Sequence, residues 1–108
     1  AITGGGVTLF ELAATGTPAV GVELAPNQGP NLEGMAQAGT LVVAGRVGQP
    51  GLESAVARIL TDLSADAGRR RTMGCRGLEL VDGRGAGRVA EAIRSRLEAQ
   101  RPISERQA

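Results

Sequence analysis

The chain has 108 residues and a mass of 11.0 kDa, room for one small domain and too little for two. Its hydrophobic fraction is 42%, yet Phe10 is the sole aromatic residue, so a core has to be built from Ala, Val, Leu and Ile. Twelve basic residues against eleven acidic ones leave a net charge of +1, which excludes an electrostatic argument for nucleic acid or an anionic membrane as partner.

In chain order, Ala1-Ile2-Thr3 reads as the last residues of a buried strand that runs into Gly4-Gly5-Gly6. Val7 to Thr15 reads as a helix, stopped by Gly16 with Pro18 just beyond. Pro18 to Leu24 is a short, mostly buried strand, followed by a polar loop, Ala25 to Pro30. A short helix is expected from about Asn31 to Ala38, stopped by Gly39, and a third strand over Thr40 to Ala44. After a Gly/Pro loop from Gly45 to Gly51, Leu52, Val56, Ile59, Leu60 and Leu63 fall at offsets 0, 4, 7, 8 and 11, one face of a helix. Ser64 is the expected cap of the next helix, with Met73, Gly77, Leu80 and Val81 on one side and Arg69, Arg70 and Arg71 on the other. Asp82 to Gly85 breaks it. The last helix carries Val89, Ile93 and Leu97 at four-residue spacing, and residues 100–108 form a polar tail expected to fray.

Strands alternating with helices predict an α/β fold, a Rossmann-like parallel sheet with flanking helices, over residues 1–99. Three short strands make a poor parallel sheet on their own, because such sheets need both faces covered. With the short first strand and a start at Ala1 rather than Met, this predicts the C-terminal part of a larger α/β domain whose N-terminal strands are missing. There are no internal repeats. No run of about 18 apolar residues and no signal peptide is visible, so a cytoplasmic location is the expectation.

Several chemistries are excluded by composition. Without histidine the chain offers no Ser-His-Asp or Cys-His arrangement, and with Cys75 alone it offers no internal disulfide and no zinc cluster. No cofactor, metal or catalytic residue is expected within it.

The most informative stretch is Thr3-Gly4-Gly5-Gly6-Val7-Thr8-Leu9-Phe10-Glu11. A strand end, three glycines and a helix start place bare N–H groups at the positive end of a helix dipole, where an anion can approach the main chain. The place lies beyond the carboxyl end of a strand, where α/β sheets bind ligands. It is not a phosphate loop of the Gly-Lys-Ser/Thr kind, and Leu9 stands where a dinucleotide loop needs its third glycine. The alternative is a tight turn and nothing more. Glu11 either balances the helix dipole or accepts hydrogen bonds from vicinal hydroxyls such as those of a ribose. Asn27, Gln28 and Asn31 lie on the same sheet edge; they either meet ligand hydroxyls or serve as turn and helix cap.

Three further features read as structural. Gly83-Arg84-Gly85-Ala86-Gly87-Arg88 has Arg88 at the last glycine position of the dinucleotide pattern and turns one helix into the next. Arg69 to Arg71 form a solvated face. Cys75, between Gly74 and Arg76, is read as a small packed residue rather than a nucleophile, since no base is available to it.

Taken together, Ile2 to Ala13, Gly16-Thr17-Pro18, and Asn27-Gln28 with Asn31 resemble the C-terminal half of GT-B nucleotide-sugar enzymes, which include the bacterial UDP-N-acetylglucosamine transferases of peptidoglycan synthesis. The closing Leu80-Val81-Asp82-Gly83-Arg84-Gly85-Ala86-Gly87-Arg88-Val89 resembles, more narrowly, the UDP-sugar hydrolases of the pseudaminic acid pathway and the related spore-coat polysaccharide biosynthesis proteins. The resemblance spans residues 1–97. It implies two Rossmann-like domains facing a cleft, the C-terminal one gripping UDP. Gly4, Gly5, Gly6, Val7 and Thr8 would then hold the diphosphate, Glu11 the ribose, and Asn27, Gln28 and Asn31 the sugar end.

In the hydrolases that this resembles, water displaces UDP from the anomeric carbon with help from a histidine of the N-terminal domain. The implied function is therefore the UDP-sugar-binding half of a hydrolase that releases UDP from a deoxy-acetamido sugar, with a UDP-sugar and a separate N-terminal Rossmann-like domain as partners. The alternatives are the donor-binding domain of a glycosyltransferase, in which a lipid or sugar replaces water, and a non-catalytic nucleotide-binding subunit or gene fragment.

Overall fold

A computed structural model describes residues 1–105. It contains, in order, β1 (Ile2–Thr3), α1 (Thr8–Ala14), β2 (Ala19–Glu23), a 3-10 turn (Pro26–Gln28), α2 (Gly29–Gln37), β3 (Leu41–Arg46), α3 (Leu52–Ala65), α4 (Ala67–Leu80), α5 (Gly85–Gln100) and a second 3-10 turn (Ile103–Glu105). The strands form one parallel sheet in the order β1-β2-β3. Ile2 and Thr3 face Val20 and Gly21, and Ala19, Val20 and Gly21 face Leu41, Val42 and Val43. The ladder then slips, so that Val22 pairs with Gly45 and Glu23 with Arg46. Ala44 is the extra residue, and Gly45, at φ +150°, takes up the bend. For this reason β3 runs two residues past its expected end, while Thr40 stays outside it, buried, its hydroxyl donating to the Met35 carbonyl over 3.1 Å.

The continuous apolar run of β2 has a simple cause: both of its faces are covered. Ala19 joins Leu9, Ala13, Leu32, Met35 and Leu41 in a cluster under α1 and α2. Val20, on the opposite face, packs with Leu63 and Met73 under α3 and α4, flanked by Val42, Ala44, Ile59 and Leu60. The result is three layers with the sheet in the middle.

Two glycines let α4 reach α1. A Cβ on Gly77 would lie 2.7 Å from the Ala13 carbonyl oxygen, and one on Gly74 would overlap the Gly16 carbonyl. Gly16 itself, at φ +69°, ends the first helical turn region as its sequence position indicates.

Several expectations need correction. The cap of α4 is Asp66, whose carboxylate accepts from the Arg69 amide over 2.9 Å; Ser64 sits in the last turn of α3. Arg70 is not part of a solvated face: its guanidinium donates to the Leu63 and Ser64 carbonyls at 2.6 and 2.8 Å, closing the end of α3. Cys75 and Leu80 are exposed, because the buried side of α4 is Met73, Gly74 and Gly77. Helix α2 starts at Gly29, so Asn31 lies inside it and does not cap it.

The break between α4 and α5 forms at residues 81–84 and is shorter than read, because Gly85 to Arg88 are already the first turn of α5. Gly83 has φ +75°, and the Asp82 carboxylate accepts from the Arg84 amide at 2.9 Å and pairs with the Arg88 guanidinium. Helix α5 then leaves the rest of the fold. None of its residues is buried, and Val89, Ile93 and Leu97 are 61, 56 and 60% exposed. The radius of gyration, 19.2 Å, records this projection, since a compact chain of this length has about 13 Å. Of the polar tail, residues 103–105 form a turn and residues 106–108 lie outside the described residues. No helix among the described residues is long and apolar enough to cross a membrane.

Candidate functional site

The glycine loop leaves the carboxyl end of β1 and enters α1. None of Gly4, Gly5 and Gly6 has positive φ, so left-handed backbone is not what selects them. At Gly5 the reason is close approach. An added Cβ would stand 2.8 Å from Cβ of Gln28 and Cγ of Leu32 and 2.9 Å from the Gln28 carbonyl oxygen. At Gly4 the neighbour is the movable end of Leu24, and at Gly6 nothing lies closer than Gln28 Nε2, at 4.0 Å. Gly6 is exposed and open on its outer side. Thr3, buried behind the loop, donates its hydroxyl to the Gly4 carbonyl over 3.0 Å.

Main-chain donors follow the same division. The Gly5 amide is occupied: it donates to Gln28 Oε1 over 3.1 Å. The amides of Leu9 and Phe10 turn back onto the Gly6 and Val7 carbonyls, at 3.2 and 3.0 Å. Between them, the amides of Gly6, Val7 and Thr8 have no acceptor among the described residues. The start of α1 also lacks a side-chain cap. These are the orphan donors of a helix start, left facing solvent.

Glu11 lies one turn further on, its amide bonded to the Val7 carbonyl at 3.4 Å. Its side chain is exposed and bonds no group among the described residues, while Leu9 and Ala13 of the same helix are buried. Amphipathic spacing therefore puts the carboxylate on the solvent side.

The structure brings Gln28 and Asn31 to the loop. Gln28 Oε1 accepts from two amides at once, Gly5 at 3.1 Å and Leu24 at 3.0 Å, and Asn31 Nδ2 donates to the Gly5 carbonyl over 3.2 Å. Gly5 is thus held at both its amide and its carbonyl, by side chains 23 and 26 residues away. Gln28 Nε2, Asn31 Oδ1 and the whole of the exposed Asn27 amide are left without protein partners among the described residues.

Beside this cluster, at the carboxyl ends of β2 and β3, lies a hollow of about 220 Å³ lined by Glu23, Leu24, Ala25, Pro26, Arg46 and Val47. Glu23 and Arg46 were not singled out from sequence. The available signal was that each is the charged residue ending an otherwise apolar strand on the ligand-facing edge. Among the described residues no group of three or more His, Cys, Asp and Glu side chains is placed to hold a metal ion.

Chemically, this edge offers unpaired N–H donors for an anion, a carboxylate for hydroxyls, and neutral amides nearby. Comparison with protein-family models, curated proteins and solved structures found no match.

Proposed function

We propose that this chain is the UDP-gripping half of a nucleotide-sugar hydrolase, which releases UDP from a deoxy-acetamido sugar in the synthesis of a surface polysaccharide. The observation that carries the reading is the run of unpaired amides at Gly6, Val7 and Thr8, at an uncapped helix start and beside a glycine with open space in front of it. A diphosphate is the ligand such a run suits, since several adjacent donors meet several anionic oxygens. Glu11 then takes the ribose hydroxyls. A carboxylate is repelled by phosphate, and its free, solvent-facing position one turn along suits a neighbouring sugar.

The reading assigns Gly4 and Gly5 to the shape of the loop and Gly6 to Thr8 to the contacts. Asn27, with the free oxygen of the Asn31 amide, faces the sugar end. In the reaction a water oxygen bonds to the anomeric carbon while the bond from that carbon to the diphosphate oxygen breaks. UDP leaves with the electron pair, and the loop amides stabilise its charge. The water's proton passes to a base on a partnering Rossmann-like half with a GT-B arrangement, because this chain carries no histidine.

Isothermal calorimetry with UDP tests the grip. A methyl added at Gly6 meets nothing closer than 4.0 Å, so Gly6→Ala keeps the fold while filling the space the anion needs. Its UDP affinity is expected to fall at least tenfold, and that of Glu11→Ala roughly tenfold, the order of one lost charge-assisted hydrogen bond. Equal affinities in the wild type and both variants would sink the reading.

A further inference from the structure

We infer that Gln28 is a positioning residue, the tie that fixes the glycine loop to the end of β2, rather than a contact to the sugar. The functional consequence rests on the nucleotide reading above; the tie itself does not.

A side-chain carbonyl has two acceptor sites, and here both are used on main-chain donors that belong to different strands' ends. Gly5 follows β1 and Leu24 follows β2, and Oε1 holds their amides at 3.1 and 3.0 Å. The two donors also fix the orientation of the amide: only the oxygen can sit between them, so Nε2 is turned toward Gly6. Asn31 grips the next peptide through the Gly5 carbonyl, and Gly5 has no room to move toward the 3-10 turn. The Gly5 amide is therefore withdrawn from any ligand, and the two peptides that flank Gly5 are locked, the first by Gln28 and the second by Asn31. The direction of the Gly6 amide, the first of the three free donors, follows from that lock.

A positioning role and a sugar contact make different predictions for the same variants. If Gln28 acts through the loop, Gln28→Ala weakens UDP and UDP-N-acetylglucosamine by the same factor, about tenfold, because both use the diphosphate grip. A sugar contact weakens UDP-N-acetylglucosamine alone. In the ligand-free protein, Gln28→Ala is expected to speed hydrogen exchange at the Gly5 and Leu24 amides at least tenfold. Gln28→Glu, which keeps an oxygen between the two donors, is expected to retain the protection of both. Unchanged exchange at Gly5 and Leu24 in Gln28→Ala overturns the tie, as does weakening confined to the sugar nucleotide. If the wild type binds neither nucleotide, the nucleotide reading fails, and the exchange comparison still decides whether Gln28 holds the loop.

Discussion

Helices α4 and α5 are consecutive and similar in length, 14 and 16 residues, but they meet their surroundings in opposite ways. Helix α4 carries few large apolar residues, yet it is stitched into the fold. Met73 enters the core, and Gly74 and Gly77 bring its backbone against Gly16 and Ala13. Helix α5 carries Val89, Ile93 and Leu97 in strict register, and all three are exposed. An apolar stripe states which face of a helix prefers burial. Whether that face is covered depends on what stands opposite, and for α4 the decisive feature is the lack of side chains rather than their presence.

Refilling the α4 contact should have the largest effect. Gly77→Ala drives a methyl into the Ala13 carbonyl, and overpacking of this kind costs about 3 kcal/mol. Gly87→Ala in α5, with nothing within 4 Å, is expected to gain about 0.5–1 kcal/mol of helix preference instead. Urea denaturation of the two variants should show opposite signs. Truncation sharpens the contrast: Leu63→Ala, in the core under α3, should cost about 2–4 kcal/mol, and Leu97→Ala less than about 0.5 kcal/mol.

Smaller effects concern the helix junctions. Asp66→Ala should destabilise by about 1 kcal/mol, the usual value of a cap, and Ser64→Ala by a few tenths at most, in the same denaturation experiment. The turn into α5 is expected to respond to pH. The Arg84 amide, and then the Arg88 guanidinium, hold the Asp82 carboxyl below its ordinary value. A carboxyl lowered in the folded state stabilises fully above its unfolded value of about 3.9 and stops doing so as pH falls through the folded value. Protection from hydrogen exchange at the start of α5, taken relative to the unstructured rate at each pH, should fall over that acidic range in the wild type, and Asp82→Asn should abolish the dependence.

Much of this architecture is legible in the residues. The glycine stops at Gly16 and Gly39 and the apolar face of α3 yield the element order, and the unbroken apolar run of β2 yields a parallel sheet covered on both sides. Junction details are not, because Ser64 and Asp66 are both good caps two residues apart, and only the geometry of the break selects between them. Arg70 reads as solvated because its partners are carbonyls, which leave no mark in a sequence.

The candidate site divides in the same manner. The glycines, the free amides and the exposed Glu11 follow from local pattern. The tie from Gln28 to Gly5 spans 23 residues and has no local signal, so the Gly5 amide could not be known to be occupied. The close fit of Gly5 against Gln28 and Leu32 is likewise a tertiary fact, and it separates a glycine that shapes the loop from one that leaves room for a ligand.

The decisive measurement for the amide grip is an NMR titration with UDP, read amide by amide. The Gly6, Val7 and Thr8 amides should shift together and saturably while the Gly5 amide, held by Gln28, shifts little. Shifts centred elsewhere on the molecule, or none at those three amides under saturating nucleotide, would contradict that grip.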